Sequence, residues 1–503
     1  MKTCLIESTK ISRRSFLQAL GALTLSGSLA ACGGTGEARS DRLAAGSLAY
    51  TPDEVVTVEF SDGGITVSPE DAAGLAVEGT ALSVSGAGVY ALSGRCADGS
   101  VKVEAQTEDV VLLLDGLTLT SADTAPMVCG ESTGVTIAVV DGTENTLTDS
   151  EANDPDNAAD NENAEKAVVK CKDGSQVVLC GGGALTVNAR GKNGIKSGTA
   201  LDDRDASLTI RELTLNIEAL VNDAINAEQR LKVESGNLTI AAGDDAIHCD
   251  RELNIGAEGT TGPAITVSTC CEGLEGAVLN IHSGNMDITS TDDCLNAANS
   301  DLGDYAFEIN ISGGTIKAYS SEGDGFDSNG TLTITGGDIS VWTANAADNQ
   351  PLDADGRITI SGGTVLAAGD SAGMGFSISA SQPYVTFGGG RDSSLSLAGG
   401  AAFSIADESG KSVLDSTALC DAAFLFYSSP ALTAEGRYSV QSTVTATAKT
   451  GEADPQFGGN GGPGGSGGQR PDDMTPPDGQ MPQGQLPQSD GTTPPELPAA
   501  SSN

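Results

Sequence analysis

Two columns of apolar residues recur along the chain at intervals of 21 to 31 residues, and this spacing constrains the fold more than any other feature. The first column consists of Leu185, Leu215, Leu238, Ile265, Met286, Ile316, Ile339 and Val365. The second consists of Ile195, Ile225, Ile247, Leu274, Leu295, Phe326 and Leu352. The spacings of the two columns vary together from one repeat to the next. Insertions are therefore expected in the loops, while the strands stay in register. Each unit has room for two or three short alternating strands and has no helical period, which predicts an all-β solenoid of the parallel β-helix type.

The composition favours one repeat array over several globular domains, since 66 of 503 residues are Gly and only 4% are aromatic. We assign residues 51–400 to the β-helix and residues 401–449 to a C-terminal β cap, because solenoids need capped ends. An N-terminal β cap is expected for the same reason. The Gly- and Pro-rich residues 450–503 cannot bury a core and are predicted to be a disordered tail. The acidic run 149–165 is predicted to be a solvated loop between early turns.

The N-terminus has the features of an export signal. The motif SRRSFLQ (12–18) is of the twin-arginine type, and an apolar stretch too short to span a bilayer leads from Ala19 to Cys32. The sequence LAAC (29–32) resembles a bacterial lipobox, so Cys32 is expected to carry lipid. Residues 1–31 are then the signal and residues 32–50 a linker, which predicts an extracytoplasmic protein anchored to the membrane at the cell surface. The alternative is ordinary signal cleavage that does not involve Cys32.

The charge of the chain bears on its partners. There are 69 Asp and Glu residues against 26 Lys and Arg residues, a formal net charge of -43. No basic patch that could release phosphate counterions is visible, which excludes nucleic acid as an expected partner. A surface this acidic attracts cations and keeps the protein soluble, and we expect a monomer.

The cysteines and histidines give little support to a zinc site, since the chain has no CxxC motif and its only histidines are His248 and His282. Four cysteines occupy similar places in the repeats and are interpreted as small core residues, with disulfides as the alternative. They are Cys129, Cys171, Cys249 and Cys294.

Acidic residues recur beside the second apolar column. The candidate metal ligands are Asn222, Asp223, Asp244, Asp245, Asp292, Asp293, Asp324, Asp327 and Asp353, with Glu272, Glu322 and Asp348 in the same run. In a parallel β-helix these positions stack at about 4.8 Å, where two carboxylates repel by about 1 kcal/mol in water and about 3 to 4 kcal/mol at an effective dielectric of 20. Ca²⁺ would offset this repulsion, because it accepts six to eight oxygen ligands in flexible geometry. The alternative is a solvated acidic edge of turn-forming Asp residues, since no EF-hand spacing is present.

Two aromatic residues occupy equivalent strand positions one repeat apart. Strand alternation turns Ile316 and Ile339 inward and Tyr319 and Trp342 outward, so the rings are expected to stack on one outer face. An exposed pair would suit the apolar face of a sugar ring, which makes both residues candidates for carbohydrate binding. The alternative is that a neighbouring loop, such as the stretch around 301–305, covers them.

Three features together resemble a bacterial carbohydrate-binding β-helix family. They are GVYALSGRCADGSVKVEAQTEDVVLLLDGLTLTSADTAPMVC (88–129), VTIAVVDGTENTLTD (135–149) and a repeated pattern in which DDAI is followed by LTI and a pair of glycines. The resemblance spans residues 50–445 and implies a right-handed, polysaccharide-lyase-like β-helix with bound calcium. It also implies binding of cell-wall polysaccharide, cellulose or a pectin-like acidic glycan, rather than catalysis. The acidic insertion and the lipoprotein-type start depart from the family pattern.

Two other functions are compatible with the sequence. GDDAI (243–247) resembles the Asp pair of polygalacturonases, so carboxylates around Asp244 and Asp245 could serve a hydrolase or lyase. The Gly-His-Gly and Arg-Ile-Lys motifs of those hydrolases are absent, and no local signature marks Lys196 or Arg251 as a lyase base. The Asp pair also recurs, whereas an active site is normally built once, so no enzyme is expected. A structural or adhesive surface protein would have the same sequence features.

Overall fold

The computed structural model describes residues 43–303, 305–344, 349–370, 378–389 and 395–452, which are built almost wholly of β-strands. These ranges belong to one compact unit. Two short 3₁₀ helices, Pro52–Glu54 and Glu151–Asn153, are the helical elements of the described ranges, and neither could cross a membrane. The predicted all-β class is confirmed. The predicted signal, Cys32 and most of the predicted tail lie outside the described residues.

Antiparallel hairpins open the described part of the chain. The strands are β1 (Leu43–Ala45), β2 (Leu48–Tyr50), β3 (Val55–Ser61), β4 (Gly64–Ser68), β5 (Leu75–Glu78) and β6 (Ala81–Val84). The β1–β2 hairpin lies at the end of the range predicted as a linker, 32–50, and this part of it is β-structure. Gly46 N–H donates to Asp141 Oδ1 at 2.7 Å, and Ala45 is fully buried. The hairpin is therefore packed on the strands that follow, because its apolar residues find a buried surface there.

A long series of parallel strands follows. The first half comprises β7 (Gly88–Cys96), β8 (Ser100–Val103), β9 (Val110–Thr120), β10 (Met127–Cys129), β11 (Gly134–Val139), β12 (Glu144–Thr148), β13 (Ala167–Cys171), β14 (Gln176–Gly181), β15 (Ala184–Asn188), β16 (Asn193–Ser197), β17 (Ser207–Ile210), β18 (Thr214–Ala219), β19 (Ile225–Ala227) and β20 (Arg230–Val233). The second half comprises β21 (Asn237–Ala242), β22 (Ile247–Ile255), β23 (Ala264–Thr269), β24 (Leu274–Ile281), β25 (Asn285–Ser290), β26 (Leu295–Ala297), β27 (Glu308–Ile311), β28 (Thr315–Ser320), β29 (Phe326–Ser328), β30 (Thr331–Ile334), β31 (Asp338–Thr343), β32 (Ile358–Ile360), β33 (Thr364–Gly369) and β34 (Ile378–Gly388).

The pairing of these strands repeats regularly along the chain. From β6 to β32 the strands pair in parallel with strands two or three places further on, and β29 continues through a single bridge from Phe326 to Leu352. Every neighbour predicted within the two apolar columns is a register partner: Leu185 pairs with Leu215 and Ile339 with Val365, for example. The prediction succeeds because side chains alternate with period two, so a slip of one residue would expose each column to water.

A pair of glycines directly precedes each of the first-column strands β28, β31 and β33. Gly314, Gly337 and Gly363 have φ of +91°, +96° and +77°, a region that L side chains rarely adopt. A Cβ atom on Gly337 would also lie 3.1 Å from the carbonyl oxygen of Gly314 in the preceding turn. Glycine therefore allows adjacent turns to approach closely at this corner.

Antiparallel strands close the described part of the chain. They are β35 (Ala402–Asp407), β36 (Ser412–Thr417), β37 (Phe424–Ser428), β38 (Arg437–Val440), β39 (Val444–Thr447) and β40 (Lys449–Glu452). β37 pairs antiparallel with β33 and β34, and β40 pairs antiparallel with β34, so the parallel series ends here. The range predicted for the cap, 401–449, holds β35 to β39 and the first residue of β40.

The acidic run 149–165 lies between β12 and β13, and the prediction of a solvated loop is wrong in part. Asp149, Asn153 and Asp154 are buried, with exposed fractions of 2%, 0% and 4%. Asp149 Oδ1 accepts the N–H of Arg190 at 2.6 Å, and Asn153 donates to Asp149 Oδ2 at 2.9 Å. These polar groups are tolerated inside because each has a hydrogen-bond partner.

One buried apolar cluster extends from Val58 to Phe426 and includes both columns. Cys129, Cys171, Cys249 and Cys294 lie buried in this cluster as free thiols, which confirms their interpretation as core residues. Cys129 and Cys171 are register neighbours on β10 and β13.

Candidate functional site

A row of acidic residues lies two positions before the second apolar column, and we call it the carboxyl row. Its members are Asp223, Asp245, Glu272, Asp293 and Asp324. The backbone holds them in line, because the residue after each member donates its N–H to the carbonyl of the next member. The bond from Ala246 N–H to the Glu272 oxygen is 2.9 Å long, and that from Gly273 N–H to the Asp293 oxygen is also 2.9 Å.

A second row lies one position after the same column and extends one strand earlier, to Lys170 beside Val169, and we call it the mixed row. Its members are Lys170, Lys196, Asn226, His248, Glu275, Asn296, Asp327 and Asp353. The two rows are in contact, since Asn226 donates to Asp223 Oδ2 at 2.6 Å and Asn296 donates to Glu272 Oε2 at 2.8 Å. Together the two rows form a ribbon along one edge of the repeats, and from Asp223 onward all its side chains except His248 carry oxygen atoms.

The structure places the predicted ligands at different positions around this ribbon. Four of them stand in the carboxyl row and two in the mixed row: Asp223, Asp245, Asp293 and Asp324, then Asp327 and Asp353. The other three, Asn222, Asp244 and Asp292, come directly before the carboxyl row. The Asn222 amide donates to Asn193 Oδ1 of the preceding turn at 2.7 Å, so it is engaged outside the ribbon. Glu322 is exposed, and Asp348 lies outside the described residues.

Sequence reasoning did not propose Asn226, His248, Glu275, Asn296 or Gln350 as site residues. A signal for the first four was present, because each directly follows a residue of the second apolar column. Gln350 occupies the carboxyl-row position of the last turn, where its backbone carbonyl accepts the N–H of Gly325 at 3.0 Å.

His248 lies at the centre of three carboxylates. Its Nδ1 is 3.0 Å from Asp245 Oδ2 and 2.7 Å from Glu275 Oε2, and its Nε2 is 2.8 Å from Asp250 Oδ1. Hydrogen bonds to these three acids raise the pKa of His248 well above its usual value, although burial acts in the opposite direction. The imidazolium therefore supplies positive charge at this turn of the ribbon.

Further along the ribbon, three carboxylates converge without a basic partner in the described ranges. One oxygen each of Asp324, Asp327 and Asp353 lies within 4.8 Å of the others, and all three residues are half-buried. Three like charges at this separation repel strongly in a partly dry environment.

The pKa values of the ribbon carboxyls reflect this crowding. Burial, followed by the charges of Asp327 and Asp292, raises the pKa of Asp293 to about 9. Burial and then the charge of Asp245 raise the pKa of Glu272 to about 7. Burial is also the largest cause at four other ribbon carboxyls, whose pKa values rise to about 7 for Asp245 and Asp324 and to about 6 for Asp223 and Asp327. At neutral pH the ribbon therefore resists full ionisation unless a cation is present.

Two amide oxygens beside these carboxyls have no hydrogen-bond partner in the described part of the chain. They are Asn296 Oδ1 and Gln350 Oε1, on residues with exposed fractions of 8% and 5%. A buried acceptor without a donor costs about 1 to 3 kcal/mol, so such atoms call for an explanation.

The donor set of the ribbon fits calcium. Carboxylate and amide oxygens are the ligands that Ca²⁺ prefers. A bound ion would give the two unpartnered amide oxygens a ligand and would neutralise part of the excess negative charge. The acids around His248 are less suited to binding calcium, because the imidazole already forms hydrogen bonds with them. The residues suited to holding an ion are therefore those from Glu272 onward.

The prediction of an exposed aromatic pair is wrong for Trp342. Tyr319 and Trp342 are register partners on β28 and β31, as expected, but Trp342 is fully buried. Its ring meets Phe403 edge to face at 6.0 Å between centroids, and its Nε1–H donates to Ser340 Oγ at 2.9 Å. Tyr319 is half-buried against the same cluster. The alternative, that another segment covers the rings, is thus correct for Trp342. The covering residues come from β35 and its neighbours instead of residues 301–305.

These features define a class: all-β proteins of repeated parallel strands that carry an oxygen-rich edge. A family model described as "Carbohydrate-binding domain-containing protein" matches residues 78–373. The chain belongs to this family.

Two individual proteins resemble the chain. A "Carbohydrate-binding domain-containing protein" of Acetivibrio thermocellus is 29% identical over 184 residues, which are 36% of this chain and 60% of the relative. The match therefore spans less than two thirds of that relative's length. A solved structure titled "Structure of the polysaccharide lyase-like protein from C. thermocellum, Gadolinium derivative" has a TM-score of 0.33 and 23% identity, covering 61% of this chain and 96% of that chain.

Proposed function

We propose that this chain is a calcium-dependent binding protein for cell-wall polysaccharide, and that the acidic, pectin-like class is its target. Membership of the carbohydrate-binding family supports a sugar ligand. The observation that carries the calcium part is the pair of orphan amide oxygens, Asn296 Oδ1 and Gln350 Oε1, set among crowded carboxyls. Cellulose receives less support, because the aromatic residue expected to stack on a neutral glucan, Trp342, is buried.

The fold that fits this function is a right-handed parallel β-helix. Parallel pairing with strands two or three places further on is the pattern that successive β-helix turns produce. In such a helix equivalent residues of adjacent turns stand about 4.8 Å apart. The ribbon would then offer evenly spaced groups to an extended polymer.

Calcium would be held by oxygens of the row residues Glu272, Asp293, Asn296, Asp324 and Gln350 and of their neighbours Asp327 and Asp353. A bound ion supplies positive charge that can also attract the carboxylates of an acidic glycan. The chain's own groups align the ion-binding positions through the backbone hydrogen bonds of the carboxyl row. A protein with a net charge of -43 would otherwise repel a polyanion.

Binding without catalysis is the more consistent function. Asp245, a candidate general acid, is 7% exposed and is hydrogen-bonded to His248 at 3.0 Å, so a substrate could not reach it readily. Equivalent carboxyls recur on several turns, and the one with a histidine partner, Asp245, lies buried with that histidine among further acids.

We also propose export, lipid attachment at Cys32 and a monomeric protein at the cell surface. The support is the twin-arginine motif and the lipobox-like sequence before Cys32. This location would place the ribbon where cell-wall polymers are found.

A retention assay tests the proposal. The protein is mixed with insoluble polygalacturonate or cellulose in buffer that contains either calcium or EDTA, at low salt. We expect retention on polygalacturonate in calcium and its loss in EDTA, with much less effect of EDTA on any binding to cellulose. Equal retention on polygalacturonate after EDTA would contradict the calcium requirement, and no retention on either polymer in calcium would contradict polysaccharide binding.

A further inference from the structure

Two lysines occupy adjacent positions at the N-terminal end of the mixed row. Lys170 on β13 and Lys196 on β16 are register partners on parallel strands, with their neighbours in each strand buried. Like charges directly opposite each other on neighbouring strands are destabilising. The arrangement is unusual in a chain with only 26 basic residues against 69 acidic ones.

The charges around this pair do not balance. Lys196 Nζ is 2.9 Å from Glu228 Oε1 and donates to Asn226 Oδ1 at 2.9 Å. The nearby Glu165 is engaged by Lys172 at 2.7 Å. Glu228 is thus paired with Lys196, and Glu165 with Lys172, instead of with Lys170.

Lys170 has no ion-pair partner of its own among the described residues. Its ammonium makes no hydrogen bond or ion pair with any residue of the described ranges, although the side chain is half-buried. Burial and then the charge of Lys196 lower the pKa of Lys170, and the charges of Glu228 and Glu165 oppose this shift only in part. An anion beside Lys170 would relieve both effects.

We propose that Lys170, supported by Lys196, binds a carboxylate of a uronic-acid unit in the glycan. This inference rests on the proposed function and deepens it, because it names a direct contact for an acidic sugar. Both lysines belong to the same mixed row as Asn296, Asp327 and Asp353. Six strand-to-strand steps separate Lys170 from Asp327, or about 29 Å at the usual strand spacing. One extended polymer could therefore meet lysine at one end of the row and bound calcium at the other.

The uronate is favoured over a neutral sugar by simple chemistry. An ammonium group forms its strongest hydrogen bonds with ionised acceptors such as a carboxylate. Esterifying that carboxylate removes the charge and leaves the sugar ring unchanged. The inference thus predicts discrimination between free and methyl-esterified galacturonate chains that depends on Lys170.

The test is calorimetric titration of the full chain with a soluble galacturonate oligomer in excess calcium, repeated with its methyl ester. Lys170→Met keeps the aliphatic part of the side chain and removes the charge, and Lys170→Arg keeps the charge. Lys232→Met is the matched control, since Lys232 is an exposed residue of β20, outside the mixed row. A thermal midpoint for each variant verifies folding, and Lys170→Gln replaces Lys170→Met if the latter is unstable.

We expect Lys170→Met to bind the free-acid oligomer about tenfold to a hundredfold more weakly than the unaltered protein, the range for loss of one charge-assisted hydrogen bond. Binding of the methyl ester should not change, and Lys170→Arg and Lys232→Met should retain affinity for the acid. Equal affinity of Lys170→Met and the unaltered protein would overturn this inference and leave the proposed function standing. An equal loss in Lys232→Met would also overturn it, since the effect would then be general electrostatics. Failure of the unaltered protein to bind any oligomer would overturn the proposed function itself.

Discussion

At the scale of single residues, the carboxyl row both anchors the backbone through hydrogen bonds and holds several acidic groups in a buried environment. Asp293 Oδ1 accepts the backbone N–H of Asp324 at 2.6 Å, and Asp223 Oδ1 accepts that of Asp245 at 3.3 Å. These bonds anchor the turns, as Asp side chains commonly do. The same burial raises the pKa values of the carboxyls, so the row is stable when protonated or when a cation is bound.

His248 provides the residue-scale prediction. Its pKa is raised, so its contribution to stability should be complete below about pH 6.5 and decrease as the pH rises through the higher folded-state value. His248→Gln removes the charge that three carboxylates face, and breaking a buried ion pair costs about 3 kcal/mol. We therefore expect a lower unfolding midpoint in urea at pH 7.

The control is His282→Gln, because His282 forms a hydrogen bond with Ser312 Oγ at 2.9 Å outside the ribbon. Its midpoint should remain close to that of the unaltered protein. If both variants unfolded at the same urea concentration, the interpretation of His248 as the ribbon's internal cation would be wrong.

At the scale of elements, β31 shows how an outward-facing position can still be interior. Trp342 points away from the main cluster, as strand alternation requires, but β35 places Phe403 against it. Leu366, Leu425 and Tyr427 belong to the same second cluster. The C-terminal antiparallel strands are thus held by apolar contacts on the outer face of the parallel series.

Trp342→Ala tests this packing. Removing a fully buried aromatic side chain costs about 3 to 5 kcal/mol, through lost burial and the cavity left behind. Tyr319→Ala should cost less, because Tyr319 is half-buried. Chemical unfolding gives the free energies, and glycan retention should be unaffected wherever the variant is folded. A Trp342→Ala variant with full stability but no glycan binding would instead support the prediction that Tyr319 and Trp342 bind carbohydrate.

At the scale of the whole molecule, the raised carboxyl pKa values predict an unusual dependence of stability on pH. Asp293, Glu272 and Asp245 have higher pKa values in the folded chain than the ordinary values expected in the unfolded chain. The folded chain therefore binds more protons between about pH 4 and about pH 9. In chelator, the free energy of unfolding should fall as the pH rises through this range.

Calcium should reverse this trend, because it binds ionised carboxylates of the native state and not the unfolded chain. We expect the thermal midpoint in calcium to exceed that in EDTA by a small amount at pH 5 and by about 5 °C or more at pH 8. Magnesium serves as the control, since it demands a stricter geometry and retains its waters. Identical midpoints in calcium and EDTA at pH 8 would remove calcium from the account of this protein.

The sequence alone determined the strand register. Its apolar columns identified partners such as Leu238 and Ile265, or Ile247 and Leu274, and each proved to be a neighbour in the sheet. Repeats make this possible, because each unit contacts the next and the pattern of one turn predicts the next. The position of an acidic edge beside the second column followed from the same alignment.

Only the tertiary structure decided which side chains meet across that edge and what covers the outer face. The grouping of His248 with Asp245 and Glu275 depends on side-chain reach across two turns, which period and spacing do not specify. The burial of Trp342 depends on Phe403, from an antiparallel strand that carries no repeat signature. Contacts between repeats are periodic and can be read from one chain, whereas contacts with a non-repeating element are set by three-dimensional packing alone.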